Sequence, residues 1–358
     1  MKSPHASLYQ IIPYIGGNNV PPNFIQQHNL ASNENPFGAS KAVYEMLSTF
    51  SNVHTYPDGT ATQLKSALSH TFGIPAINIL CGCGSEELLH LLARTYLSPG
   101  DEVLIPEYGF GVYAIAALSV SAIPKYIPRE GEDKALKIAN ILTNITHKTK
   151  MIYIDHPGNP IGNFLHRDEL KNLLSALPSS VILVLDAAYA EYLQTDHTYT
   201  AGHEFVTTHP NVVVTRSFSK AYGLAGLRLG WMHASETIIN SINHIRAPFN
   251  TSIIAQKAGI TALNDPNFVK KTVNFTHLWR KKFEVILTEK KITFIPSCSN
   301  FVLIHLPNRA NSFYKNLGEN GFIVRPMTQY NLHDYLRISI GTENSMINIF
   351  KYFNSIYK

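Results

Sequence analysis

At 358 residues, 45% of them hydrophobic and with glycine and proline dispersed, the chain is long enough for one large domain with a smaller companion. The 30 Lys and Arg against 25 Asp and Glu leave a mild, unclustered net charge of +5, which argues against nucleic-acid or membrane-surface binding and suits an anionic substrate. Three cysteines, Cys81, Cys83 and Cys298, make neither a disulfide framework nor a zinc-finger spacing, and the 16 histidines show no H-x-x-x-H pairing, so no metal site is expected.

The opening MKSPHASLYQIIPYIGG lacks the apolar core of roughly 7–15 residues that a signal peptide needs. No apolar run approaches the roughly 20 residues of a membrane span. A cytoplasmic location is therefore expected. Residues 1–30, with Pro13, Pro21 and Pro22, read as an extended arm. From about residue 60 to 260, short apolar runs alternate with longer helical patterns, which indicates an α/β domain with a largely parallel sheet. Strands are predicted at 77–80, 102–105, 151–154, 181–185 and 212–215, and helices at 60–71, 85–96, 167–177 and 251–263. In the helix from Ser85, that serine is placed to cap, Glu86 and Glu87 suit the positive end, and Ser98-Pro99-Gly100 stops it.

Beyond Asn264 the pattern changes to a long charged amphipathic helix, 268–290. The strand-like segments ITFI, FVLIHL, GFIVRP and YLRISIG follow, and a helix over 343–357 closes the chain. This is an α+β pattern. The expected division is an arm (1–30), a large domain (31–262) and a small domain (263–358).

The unusual polar groups fall directly after the five strands of the large domain. The first leads into Gly82-Cys83-Gly84-Ser85-Glu86, where glycines entering a helix offer free N–H groups to a phosphate. A glutamate in the third-glycine position makes a dinucleotide fingerprint a poor match. The second leads into Pro106-Glu107-Tyr108-Gly109, and Tyr108 can stack on an aromatic ring. The third leads into a Gly/Pro-rich loop, residues 155–162, that presents Asn159. The fourth ends in Asp186, with Tyr189 three residues on. A carboxylate after five apolar residues is costly to bury without a cation, and a protonated pyridine nitrogen is such a cation.

The fifth leads into RSFSKAYGLAGLRLG, residues 216–230, with Lys220 near Ser217 and Ser219, and Arg228 eight positions on. Hydroxyls and a guanidinium suit a phosphate, and strand ends of open α/β sheets are where ligands bind. An amine beside an anion site points to a Schiff-base lysine and a phosphorylated aldehyde cofactor. The order of these groups on successive strand ends matches the parts a pyridoxal phosphate site requires.

The segments SNENPFG (32–38), TYPDGT (55–60), GCGSEELL (82–89), PEYG (106–109), GNPIG (158–162), DAAYAEY (186–192), RSFSKAYGLAGLRLGW (216–231), RAPFN (246–250) and PSCSNFV (296–302) carry a resemblance over nearly the whole chain. It resembles the fold-type I, pyridoxal-phosphate-dependent aminotransferases of class I/II, and more narrowly the histidinol-phosphate aminotransferase family of histidine biosynthesis. The resemblance implies a large three-layer α/β/α domain with a mostly parallel sheet, and a smaller α+β domain. It implies that Lys220 bonds the cofactor and shuttles the substrate proton, and that Asp186 pairs with the ring nitrogen. Tyr189 and Asn159 would reach the phenolic oxygen, and Tyr108 would stack on the ring. Ser217, Ser219, Arg228 and the loop Gly84, Ser85, Glu86 would hold the phosphate of pyridoxal 5'-phosphate.

Tyr56 matches a tyrosine that the family lends to the neighbouring subunit's phosphate, which implies a homodimer. Arg337 matches the substrate-anion arginine, with Arg325, Tyr14 and Asn159 as helpers. The implied substrates are histidinol phosphate and 2-oxoglutarate or glutamate. The family's usual N-P-N-N-P-T-G departs here to His156-Pro157-Gly158-Asn159-Pro160-Ile161-Gly162, so local hydrogen bonds are expected to be lost near the cofactor edge. An aromatic aminotransferase, or an enzyme like the threonine-phosphate decarboxylases, would use the same cofactor and stays open as an alternative.

Overall fold

The computed structural model describes residues 3, 5–17, 21, 24, 25 and 27–356, so Pro22 of the expected arm and Tyr357 of the expected last helix lie outside the described residues. Seven strands build the larger sheet: β1 (Ile79–Gly82), β2 (Glu102–Pro106), β3 (Ile123–Ile127), β4 (Thr149–Asp155), β5 (Ile182–Asp186), β6 (Val212–Ser217) and β7 (Gly230–His233). Their order is β1-β7-β6-β5-β4-β2-β3. All neighbours run parallel except β7, which is antiparallel to both β1 and β6.

The alternation of side chains along each strand divides the core. Met151 and Tyr153 of β4 and Val184 of β5 join helices Gly84–Tyr96, Val112–Ser119 and Glu236–Asn243 on one face. Ile152, Ile154, Leu183 and Leu185 join helices Ile138–Thr143 and Arg167–Ala176 on the other. Burial on both faces is why these strands read as unbroken apolar runs. This is the expected three-layer α/β/α arrangement. Two strands escape the sequence reading. β3, IPKYI, is a part-exposed edge with a proline, and β7 is a four-residue strand directly behind the glycine-rich Lys220 segment.

The helix expected to be capped by Ser85 starts one residue earlier, at Gly84, with Cys83 at its cap and no capping side chain there. Glu87 takes the role instead, its Oε2 accepting the Cys83 N–H at 2.6 Å. The RAPFN segment explains why Glu87 sits there: Asn250 Nδ2 donates to the same oxygen at 2.8 Å.

The C-terminal part forms a second, antiparallel sheet from β8 (Phe294–Ile295), β9 (Phe301–His305), β10 (Arg325–Pro326) and β11 (Tyr335–Ser339), in the order β8-β9-β11-β10. Helices Pro266–Glu289, Ala310–Glu319 and Glu343–Ile356 supply much of its core. The predicted strand 321–326 splits in two: Phe322–Ile323 pairs with His28–Asn29, while Arg325–Pro326 joins β11. Residues 28–30 of the expected arm thus belong to the packing of the second sheet, and Leu30 O accepts the Ser339 N–H at 2.8 Å. Nearer the N-terminus the arm holds a short 3-10 turn, Ala6–Gln10. No helix among the described residues is long and apolar enough to cross a membrane.

One buried ion pair ties β6 to the segment after β5. Arg216 Nη2 lies 2.5 Å from Glu191 Oε1, and the guanidinium packs over the rings of Phe72 and Trp231 at 5.2 and 5.8 Å. Its Nη1 donates to His203 Nε2 at 3.0 Å, which requires a neutral histidine. Burial and the adjacent arginine press the His203 pKa well down, in agreement. Removing the carboxylate charge with Glu191→Gln leaves Arg216 uncompensated. It is expected to cost about 3–5 kcal/mol in urea denaturation.

Candidate active site

The carboxyl ends of β4, β5 and β6 open onto a cavity of about 270 Å³, closed on its far side by Arg325 and Arg337 of the second sheet. Asp186, Tyr189, Lys220, Asn159, Ser85, Glu86, Ser217, Ser219, Arg228, Tyr14, Arg325 and Arg337 all line this one space. Apart from Arg325 and Arg337, these segments lie 27 or more positions apart in sequence. Parallel pairing of successive strands is what delivers them to a single edge.

Asp186 is buried at the end of β5 and has no ion-pair partner among the described residues. Thr215 Oγ1 donates to its Oδ1 at 2.9 Å and Tyr113 Oη to its Oδ2 at 3.0 Å. Asp155 is its register partner on β4. Burial above all raises the Asp186 pKa to about 6; the two hydroxyl donors hold it down and the Asp155 charge adds to the rise. Here, then, is a carboxylate that lacks a cation.

Lys220 faces the same space. Its Nζ donates to Ser32 O at 3.3 Å and lies 5.8 Å from the Tyr189 ring centroid. Burial, with the Arg337 charge second, lowers its pKa to about 8, so a nucleophilic neutral amine is accessible close to neutral pH. Burial keeps the Tyr189 hydroxyl protonated, with a pKa raised to about 12, and Asn33 Nδ2 donates to it at 2.9 Å.

A second corner is built for an anion. The N-terminus of helix Gly84–Tyr96 brings Ser85 and Glu86 to the wall, next to the hydroxyls of Ser217 and Ser219. First-turn N–H groups have no partner within the helix. Arg228 Nη1 reaches Ser219 Oγ at 3.5 Å. Gly84 does not line the cavity but makes room for this arginine: its φ is +78°, and a Cβ there would sit 2.6 Å from Arg228 Nη2.

The third corner holds two guanidiniums. Arg325 and Arg337 are directly opposite in the β10–β11 ladder, and each is only 4% exposed. Arg337 donates through Nη1 to Asn159 Oδ1 and through Nη2 to Ala31 O, while its buried Nε has no partner. Arg325 donates to Ile15 O at 2.9 Å and lies 4.9 Å from the Tyr14 ring. Neither has a carboxylate partner among the described residues. Like charges directly opposite on a ladder repel. An anion between them removes that penalty.

Two expected residues lie elsewhere. Tyr108 turns away at φ +60°, packs against the cluster of Ile161, Met327 and Tyr330, and lines an adjoining cavity of about 360 Å³. Phe110 and Tyr113 take the aromatic positions on the active-site wall instead. The sequence offered three aromatics in eight residues and no signal for which one the turn at Tyr108 and Gly109 would aim inward. Tyr56 is 80% exposed, stacks on Phe249 at 4.6 Å, and does not line the cavity of its own chain. Asn33 and Asp155 line the cavity and were not foreseen.

The model of the family described as aminotransferase class I and II matches residues 25–351. Histidinol-phosphate aminotransferase of Rhodopseudomonas palustris strain HaA2 is 39% identical over 348 residues, covering 96% of this chain and 94% of that one. Its counterpart in strain BisB5 is 38% identical with the same coverage. The chain belongs to the class I and II aminotransferases.

Among solved structures, the histidinol-phosphate aminotransferase of Sinorhizobium meliloti, crystallised with pyridoxal-5'-phosphate, superposes with a TM-score of 0.91 at 24% identity, covering 100% of this chain and 98% of that one. An aspartate aminotransferase double mutant of Thermus thermophilus reaches 0.86 at 19% identity, with 99% of each covered. These two likenesses speak for the fold alone, since they span different substrates.

The cofactor of such an aminotransferase is pyridoxal 5'-phosphate, and the residues present fit it. Asp186 lacks the cation that a protonated ring nitrogen provides, the Arg228 corner offers hydroxyls, first-turn N–H groups and a guanidinium whose one carboxylate, Glu86, stands off at 3.9 Å, and Lys220 offers a neutral amine. The Asp186 charge is a cost until that cation arrives. Below about pH 4 the carboxyl is protonated in both folded and unfolded chains; between there and about pH 6 the unfolded chain loses its proton first. Cofactor-free protein is therefore expected to lose stability as pH rises through that window. Asp186→Asn should remove the loss, its gain over wild type growing from pH 4 to 6 and levelling above, read by urea denaturation of cofactor-free protein. A gain that does not vary with pH would sink the assignment of an unpaired carboxylate.

Proposed function

We propose that this aminotransferase moves the amino group of L-histidinol phosphate to 2-oxoglutarate, giving imidazole acetol phosphate and glutamate, in histidine biosynthesis. The observation that carries the reading is the pair of buried, cross-strand guanidiniums, Arg325 and Arg337, sharing a cavity with Lys220 and Asp186. The relatives at 38–39% identity bear that activity in their name. Histidinol phosphate has no α-carboxylate, so its phosphate takes the arginine corner; glutamate and 2-oxoglutarate use the same corner through a carboxylate. Planar guanidiniums pair bidentately with either anion.

Pyridoxal phosphate supplies an electrophilic aldehyde and a ring that spreads negative charge from the substrate carbon. Asp186, held by Thr215 and Tyr113, keeps a proton on the ring nitrogen. Ser85, Glu86, Ser217, Ser219 and Arg228 hold the phosphate. Tyr189 receives a hydrogen bond from Asn33 and keeps its own proton for the phenolic oxygen. Asn159 spends its carbonyl on Arg337, leaving its Nδ2 to donate to that oxygen too. Phe110 and Tyr113 replace Tyr108 as the aromatic wall. Lys220 Nζ would hold the cofactor through its aldehyde and, as a neutral amine, would serve as the base that moves the proton of the substrate carbon.

We further read the enzyme as a cytoplasmic homodimer. Its three cysteines are all free. The exposed Tyr56–Phe249 stack lies outside its own cavity, which supports the reading that Tyr56 serves a neighbouring subunit's phosphate site.

A glutamate-forming assay across a panel of amino donors tests the substrate: histidinol phosphate should clearly lead, and aromatic donors or CO₂ release outrunning it would displace this reading. Lys220→Ala is expected to bind cofactor without turnover. Arg337→Ala should cost about 2–5 kcal/mol in kcat/KM, since a desolvated charge pair is truncated. An unchanged kcat/KM would place the substrate anion elsewhere.

A further inference from the structure

A buried ion pair stands one residue shell behind Arg337. Arg129 follows β3, in a short hairpin that pairs Arg129–Glu130 with Ala135–Leu136, and Asp155 ends β4. Arg129 Nη2 lies 3.2 Å from Asp155 Oδ1, and both side chains are almost excluded from solvent. The rest of the guanidinium is also engaged. Nε donates to Glu107 O at 2.9 Å, and Nη1 to Lys134 O at 3.2 Å and Asn163 Oδ1 at 3.0 Å. One planar group thus clamps the end of β2, the hairpin and the 155–163 loop.

The second oxygen of Asp155 points along that loop, its Oδ2 accepting the Asn159 N–H at 2.8 Å. Asn159 Oδ1 in turn accepts from Arg337. The loop's departure from the family pattern fits this arrangement. A Cβ on Gly158 would lie 3.5 Å from both Arg129 Nη2 and Asp155 Oδ2, so position 158 is in contact distance of both members of the pair. Gly158 and Asn163 close the loop through their backbones at 2.8 Å. Arg129 holds the same loop through Asp155 at one end and Asn163 at the other.

We propose that Arg129 and Asp155 are positioning residues for substrate-anion recognition, acting on Arg337 through Asn159. The pair fixes where the Asn159 carbonyl stands, and that carbonyl, with Ala31 O, orients a guanidinium that has no carboxylate of its own. The inference rests on Arg337 binding the substrate anion. It differs from a simple brace, which would contribute to folding and leave substrate affinity alone.

The test compares cofactor-loaded variants. The paired replacement Arg129→Met with Asp155→Leu removes both charges and so leaves no orphaned buried ion. It is expected to keep the visible cofactor absorbance, while KM for both histidinol phosphate and 2-oxoglutarate rises about tenfold or more. Arg129→Lys keeps the charge but has no planar fork to span Glu107, Lys134 and Asn163 together, and its KM should fall in between. In an Arg337→Ala background the paired replacement should change KM by less than about twofold, because both act through one guanidinium.

A folded, cofactor-loaded paired variant with wild-type KM overturns the relay, as do KM losses that multiply independently with Arg337→Ala. If the paired variant does not fold, Arg129→Lys decides: raised KM at unchanged kcat sustains the relay, and wild-type KM overturns it. If Arg337→Ala alone leaves KM unaltered, the substrate-anion assignment is what fails, and the relay falls with it.

Discussion

Charges buried at one edge of the sheet without counterions are the constraint around which this molecule is organised. Among the described residues, Asp186 has hydroxyl donors and no cation; Arg325 and Arg337 have carbonyls and no carboxylate. Removing an ion from water costs several kcal/mol even after relaxation, and a facing like charge adds to it. The fold tolerates this because the opposite charges come with the ligands. A carboxylate that waits for a pyridinium and guanidiniums that wait for a phosphate or carboxylate make cofactor and substrate part of the electrostatic balance of the core.

Topology keeps these charges from escaping to solvent. Parallel strands bring Asp155, Asp186 and Ser217 to the same edge, with the first two in register. The antiparallel ladder of the second sheet sets Arg325 opposite Arg337. A single stretch of chain, residues 28–33, stitches the two sheets together across the cavity. His28–Asn29 pairs with Phe322–Ile323, and Ala31 O takes a hydrogen bond from Arg337. Asn33 then bridges Ser339 of β11 and Tyr189 beside β5: its N–H donates to Ser339 Oγ at 2.9 Å, and its Nδ2 donates to Tyr189. Any movement of the second sheet against the first is therefore felt at the tyrosine and at the substrate arginine together.

The parts of this design visible in the sequence are those with local causes. Strands buried on both faces announce themselves as apolar runs, and polar residues breaking those runs, Asp186 above all, mark the site. Lys220 with Ser217, Ser219 and Arg228 was legible because one turn of chain carries the whole cluster. What the sequence hid depends on distant partners. Arg129 and Asp155 stand 26 positions apart with no pattern linking them. Gly84 rather than Ser85 starts its helix because Glu87, itself held by Asn250, answers the exposed N–H. Phe110 lines the cavity while Tyr108, at a positive φ, lines the adjoining one, and 321–326 divided because residues 28–29 offered a second partner. Departures from the family loop looked like losses from sequence; the loop is held at Asp155 and Asn163 by a guanidinium distant in sequence.

On the proposed assignment, a single cationic corner for two chemically different substrates follows from how Arg337 is held. Its two carbonyl partners fix the plane of the guanidinium while leaving the group's charge unneutralised. A carboxylate in their place would satisfy the arginine permanently and close the site to any substrate anion. Neutral acceptors orient and do not compete. A phosphate and a carboxylate can then occupy the corner in turn, each supplying the missing charge, and neither can enter while the other remains. That exclusion is what an amino-transfer cycle in two halves demands: the keto product of the first substrate has to vacate the arginines before the second anion is admitted.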